Sequence, residues 1–292
     1  MVEHLATILW SIVPIVVLFV YVYRMDRNRE SRVTLAWTFV LGFLGIIPVF
    51  ILTLLFAPLA WTVHSPVAMT LFSAFALAAI PEETAKLLII RWFCATRRAF
   101  DEPMDGLVYG ATAALGFAVL EHIMFVSAQG WSVGPLRAFL CVPGHAAMGA
   151  IIGYSIARRM FVPGSRARTW MGWAVAVLIH GMYDAFWMFP DYAAAAGTPS
   201  PLWNELGPIL AVVVDIGLIV WAIHAFRRER RAQDLAADGG RATSTNPFRS
   251  RVERLHESDQ ETEVAQRIRP EDAHGGPGVP DKPTSSGPPA LL

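Results

Sequence analysis

Glu82, Glu83 and Lys86, Glu121 and His122, His145, and His180 with Asp184 are ionisable side chains set inside four strongly apolar segments. A charge near the centre of a bilayer costs at least about 2.5–3.5 kcal/mol, so such groups persist where they pair, line a wet cavity or do chemistry. Carboxylates and imidazoles together, with no cysteine among them and no evident nucleophilic serine, are suited to activating water. In one mechanism a glutamate is the general base while donors steady the oxyanion of a tetrahedral intermediate. In the other, histidines and a carboxylate hold a zinc-like ion that acidifies its bound water. A proton-coupled transporter would use the same residues, and spacing alone does not separate it from a hydrolase.

Local spacing says how these groups could be presented. In Pro81-Glu82-Glu83-Thr84-Ala85-Lys86, adjacent carboxylates on a helix point about 100° apart, so one can face a cavity while the other braces it. Lys86 follows Glu82 by four residues and Glu83 by three, within reach of an in-helix ion pair; its bland alternative is to snorkel toward the cytoplasm. Pro81 loosens the hydrogen-bond ladder just before the glutamates and frees a backbone carbonyl. His180 and Asp184, four apart, stack on one helix face. There the carboxylate can orient the imidazole, or both can bind one metal. Gly144, Gly149 and Gly153 let helices approach closely around His145. Counted from the outer ends of their segments, all these groups fall in one central-to-outer layer about three helical turns deep. One cavity can therefore hold them. Asp215 is isolated, while Arg137, His224 and Arg91 lie close enough to an interface to snorkel; none of the four is assigned chemistry.

The chain that must position these groups is 54% hydrophobic and 16% charged over 292 residues, with a mean hydropathy of +0.43. A soluble domain carries roughly 25% charged residues. The expected fold is all-α, a polytopic bundle of seven transmembrane helices at 5–23, 33–57, 66–93, 105–128, 135–160, 169–189 and 202–226. Arginines crowd the connections after the first, third, fifth and seventh segments, and 58–65, 129–134 and 190–201 contain no Lys or Arg. By the positive-inside rule the N-terminus is outside and the C-terminus cytoplasmic, with Trp61, Trp131 and Trp203 at the outer interface. The N-terminus lacks a basic n-region and a cleavage site, so 5–23 reads as a span rather than a signal peptide. Cys94 and Cys141 fall near opposite faces, which argues against a disulfide and rules out a cysteine metal site. Residues 1–231 form the expected bundle, with a motif-bearing core at 66–189, and the polar stretch 232–292 reads as a disordered cytoplasmic tail. No nucleotide loop or nucleic-acid motif is present.

From Pro81 to Asp184 five elements occur in order: Glu82-Glu83-x-x-Lys86, Asp105-Gly-Leu-Val-Tyr-Gly110, Gly116-Phe117-x-x-x-Glu121, Pro143-Gly-His-Ala146 and His180-x-x-x-Asp184. In this order they resemble the PrsW family of intramembrane proteases, relatives of the CAAX-processing and bacteriocin-processing membrane peptidases. The resemblance implies a peptidase of the cell membrane that cleaves a membrane-anchored protein, often an anti-sigma factor, near or within the bilayer. It implies that Glu82 or Glu83 activates water, while Glu121, His145, His180 and Asp184 stabilise the intermediate or bind a divalent metal such as zinc. Lys86 supports them. His122 stands where the family usually has asparagine, and could substitute for it or add a ligand. The rival readings are an ion-coupled transporter and a non-catalytic scaffold acting through its cytoplasmic tail.

Overall fold

The computed structural model describes residues 2–130, 134–161 and 168–239, and no strand occurs among them. Among the described residues seven helical runs follow one another: α1 (Val2–Met25), α2 (Arg32–Phe56), α3 (66–94), α4 (Pro103–Gln129), α5 (134–161), α6 (Arg168–Ala195) and α7 (Pro201–Gly239). Four stretches are long and apolar enough to cross a membrane: Arg32–Ala60, Pro103–Ala128, Pro135–Phe161 and Pro201–Asp238; Ile12–Met25 is a shorter apolar helix. The other two runs, α3 and α6, hold the glutamate pair and the His180–Asp184 pair. The polarity of the bundle is that of a membrane protein: Leu55 is 68% exposed while Lys86 is fully buried. Trp131, Arg166 and the stretch 240–292, read from sequence as disordered, lie outside the described residues.

The centre of the bundle is the contact of α4 with α5, and glycine makes it possible. A Cβ on Gly110 would run into Gly149 O, and one on Gly106 into Gly153 O; the reverse substitutions meet the α4 backbone. Backbones in such contact leave no room for any side chain, which is how small residues drive helix association without a hydrophobic force. On its other side α4 packs on α2 in the same manner, with Gly116 against Phe39 O and Gly42 against Ala113 O. These two interfaces hold α4 in the middle of the fold, with Leu107, Leu115 and Phe117 fully buried.

α3 is not a uniform helix. Its Phe72–Ala79 and Ile90–Cys94 segments are wound as π-helix, and the glutamates sit on the ordinary α-helical stretch Ile80–Ile89 between them. The cause is Pro81. In a regular ladder the amide of residue 81 would pair with the carbonyl of Leu77, and proline has no amide hydrogen. Thr53 of α2 fills the gap, its Oγ1 donating to Leu77 O at 2.9 Å. Single π turns inside α-helices are common at functional sites.

At the end where the arginines gather, α7 does not stop at 231. It continues to Gly239, so the expected tail boundary at 232 is too early. The polar residues that suggested a tail are anchors: Gln233 Nε2 donates to Asp26 Oδ1 at 2.7 Å and to Glu102 Oε1 at 2.6 Å. One turn earlier in α7, Glu229 Oε1 accepts from Tyr154 at 2.7 Å. Composition alone reads such a segment as unfoldable because it counts apolar side chains and not polar partners. Cys94 and Cys141 are both free and buried.

The 26–31 turn between α1 and α2 carries a titrating group. Burial pushes the Glu30 carboxyl up to about 7, against the hydrogen bond from Tyr109, and the nearby Asp26 and Asp101 raise it further. An acid raised in the folded state favours folding least when ionised. Its penalty is absent below the ordinary value of 4.5, grows between 4.5 and about 7, and is constant above that. Hydrogen-exchange protection of the amides around Glu30 is therefore expected to fall between pH 5 and pH 7.5, and Glu30→Gln should flatten that profile.

Candidate active site

Four helices bring the ionisable groups to one place. α3 contributes Glu82, Glu83 and Lys86, α4 Glu121, α5 His145, and α6 His180 and Asp184. Lys86 Nζ lies 2.7 Å from Glu83 Oε1 and 2.9 Å from His145 Nδ1. His180 Nδ1 lies 2.7 Å from the same Glu83 oxygen, and its Nε2 lies 3.3 Å from Asp184 Oδ2. His145 Nε2 meets Glu121 Oε2 at 2.6 Å. The two imidazoles are perpendicular, with centroids 5.5 Å apart, and Lys86 Nζ stands 4.8 Å over the ring of Phe117. Each imidazole is thus held by two charged neighbours from other helices or turns, which restricts its rotation and tautomer.

The adjacent glutamates are used differently. Glu83 and Lys86 are fully buried, the carboxylate joining Lys86 to His180. Glu82 instead lines a cavity of about 330 Å³ together with Glu121, His145, His180 and Asp184. Its Oε2 is 3.9 Å from Lys86 Nζ and 4.0 Å from His180 Nε2, too far for a hydrogen bond, and it accepts none among the described residues. The 100° step between neighbouring helix positions produces this division. One side of the wall is apolar, with Ile46, Val49 and Phe50 from α2 and Leu77 from α3, while Ser73, Tyr183 and Tyr192 add hydroxyls elsewhere. Such a lining suits a hydrophobic segment entering from lipid.

Arg137 belongs to this centre, contrary to its reading as an interfacial snorkeller. Its Nη2 donates to Glu121 Oε1 at 2.6 Å, and its guanidinium lies 3.7 Å over the ring of Phe125. The short helix Gly134–Phe139 folds it back over α4. No spacing rule links residues 121 and 137 across a turn, so the pairing exists only in three dimensions. Asp215, read as isolated, also lines the cavity. His122 is buried beside Glu121 but is not one of the cavity-lining residues.

Four carboxylates, Glu82, Glu83, Glu121 and Asp184, gather around Lys86, Arg137 and the two imidazoles, and Asp215 adds a fifth carboxylate to the cavity wall. So many acidic groups in one place suit a bound cation. The donors also converge: one ligand atom each from Glu82, Glu83 and His145 lies within 4.8 Å of the others. With the unpartnered Glu82 Oε2 and Glu83 Oε2, this set fits a metal of the type that takes nitrogen and oxygen ligands. Lys86 is the competitor, because its ammonium already bridges Glu83 and His145. Around this set stand the other residues that the family resemblance named, Glu121 against His145 and Arg137, and Asp184 against His180.

Comparison with known proteins agrees with this chemistry. The family model described as "PrsW family intramembrane metalloprotease" matches residues 30–222. "Protease PrsW" of Geobacillus kaustophilus is 33% identical over 176 residues, spanning 60% of this chain and 76% of that protein. "Protease PrsW" of Clostridioides difficile is 28% identical over 76% of this chain and 90% of its own length, and that of Bacillus subtilis 30% identical over 60% and 79%. No solved structure matches the chain.

Proposed function

The chain belongs to the PrsW family of intramembrane metalloproteases, and on that premise we propose that Glu82 is the general base of peptide-bond hydrolysis at the cavity between α3, α4, α5 and α6. The protein is a peptidase and a multi-pass protein of the cell membrane. One observation carries the assignment of the base: of the two adjacent glutamates, only Glu82 faces the cavity, with an oxygen that no protein donor occupies.

In this mechanism Glu82 takes a proton from water as the oxygen attacks the carbonyl carbon, and returns it to the leaving amine nitrogen as the C–N bond breaks. Arg137, on the cavity wall, offers donors to the developing oxyanion. Glu83 and Asp184 hold His180 in orientation, and Glu121 does the same for His145 and Arg137. Glu82, Glu83 and His145 would hold a divalent ion such as zinc, which when bound supplies Lewis acidity. A carboxylate has two oxygens, so Glu82 can bind through one and accept a proton through the other.

The substrate in this reading is a membrane-anchored protein with a single span, an anti-sigma factor being the case the family resemblance suggests. Seven spans, with the N-terminus outside and the C-terminus cytoplasmic, are supported by the seven helical runs and by the arginine-free connections at 58–65 and 190–201. Purified full-length protein is expected to cleave a single-span substrate. Glu121→Gln and His145→Ala should each lower kcat/KM by about a hundredfold or more, as for loss of a group that positions catalytic acid–base chemistry. If both variants cleave at the wild-type rate, the reading is wrong.

A further inference from the structure

Asp215 is a carboxylate for which the bundle supplies no partner. It lies in α7, is 4% exposed, and makes no hydrogen bond or ion pair among the described residues; its Oδ2 is fully enclosed. Neither cation of the active centre pairs with it: Lys86 pairs with Glu83 and Arg137 with Glu121. A buried polar group left unpaired costs about 1–3 kcal/mol, and a charged one more. The position is nonetheless built. Asp215 lines the same cavity as Glu82 and His145, and its Oδ1 packs directly on Gly144, the residue before His145. A Cβ at position 144 would collide with that oxygen, so the glycine makes room for the carboxylate beside the reaction centre.

We propose that Asp215 anchors a substrate subsite that accepts a backbone N–H of the unwound substrate segment next to the scissile bond. The proposal rests on the protease reading. A peptide bond in a helix is shielded by its neighbouring turns, so a spanning substrate must open locally before water can attack. Opening strips amide donors of their partners, and each costs several kcal/mol if it stays unpaired away from water. A buried acceptor with no donor and an opened helix with spare donors complement each other. The α2 side of the wall is apolar at Ile46, Val49 and Phe50, which favours a backbone donor of an apolar segment over a charged substrate side chain.

The test is a backbone-ester scan of a synthetic single-span substrate, replacing one amide N–H at a time by oxygen around the scissile bond. Wild-type protein should lose about tenfold or more in kcat/KM at one position, the size of one hydrogen bond to a charged acceptor. Asp215→Leu should lower cleavage of the all-amide substrate by a similar factor and make that one ester harmless, the signature of direct coupling. Asp215→Asn keeps the shape and a neutral acceptor, so it should show a reduced ester effect at the same position. That variant decides the matter if Asp215→Leu does not fold. The proposal fails if the ester and Asp215 effects multiply independently at every position, or if a substrate side-chain substitution rather than an ester is what Asp215 senses. Absence of cleavage by wild-type protein would instead overturn the protease reading itself.

Discussion

Glu82→Gln is expected to abolish cleavage with little effect on the fold. The rate should fall by about 10²–10⁴, the usual range for removing a positioned general base, and the loss should appear in kcat with KM nearly unchanged. The thermal midpoint in detergent should stay level or rise, because Glu82 Oε2 accepts no hydrogen bond and its nearest cation is 3.9 Å away. Glu83→Gln makes the contrast. It should also be inactive, but for a different reason: it weakens the 2.7 Å contacts to Lys86 and His180, so its midpoint should drop. Kinetics and melting measured on both variants separate the base from the brace. If Glu83→Gln is inactive and stable while Glu82→Gln is active, the two roles are exchanged.

Lys86→Met should produce the largest loss of stability in the bundle. Lys86 is fully buried, and its ammonium is the common partner of Glu83 and His145. Removing one member of a buried ion pair strands the other, a change worth about 3–5 kcal/mol. Lys86→Arg should not rescue it, since a planar fork cannot take the place of a compact ammonium between two acceptors and a ring. Adding Glu83→Gln to Lys86→Met should recover much of the stability, because no stranded charge remains, yet leave cleavage lost. Unfolding of the single and double variants in detergent measures this directly. Equal destabilisation by both would mean that packing of the lysine stem, and not its charge, holds α3 to α5.

Hydropathy located the helices well: each of the seven expected segments corresponds to one helical run. Apolar content and charge spacing are local properties, and a lipid-facing helix needs nothing else to be recognised. The division of Glu82 from Glu83 was also legible, because two adjacent helix positions must point to different sides. Pro81 was legible as a defect in the ladder, though not the π-helical winding on both sides of the glutamates nor the hydroxyl of Thr53 that answers it. The continuation of α7 past residue 231 was misread, since Gln233 finds its partners in two distant turns.

The sequence by itself determined which side chains are too expensive to be idle in an apolar chain, and on which helices they ride. Cost of burial is a property of residue type and surroundings, both readable along the chain. Only the tertiary structure decided their partners. Lys86 meets His145 across 59 positions, His180 meets Glu83 across 97, and Arg137 turns back onto Glu121. Those pairings depend on how α3, α5 and α6 pack around α4, which meets α5 backbone to backbone at Gly106, Gly110, Gly149 and Gly153, a matter of contact between helices that periodicity within one helix does not encode. A separate contact, of α5 with α7, puts Gly144 against Asp215, and so turns an isolated aspartate into part of the cavity wall.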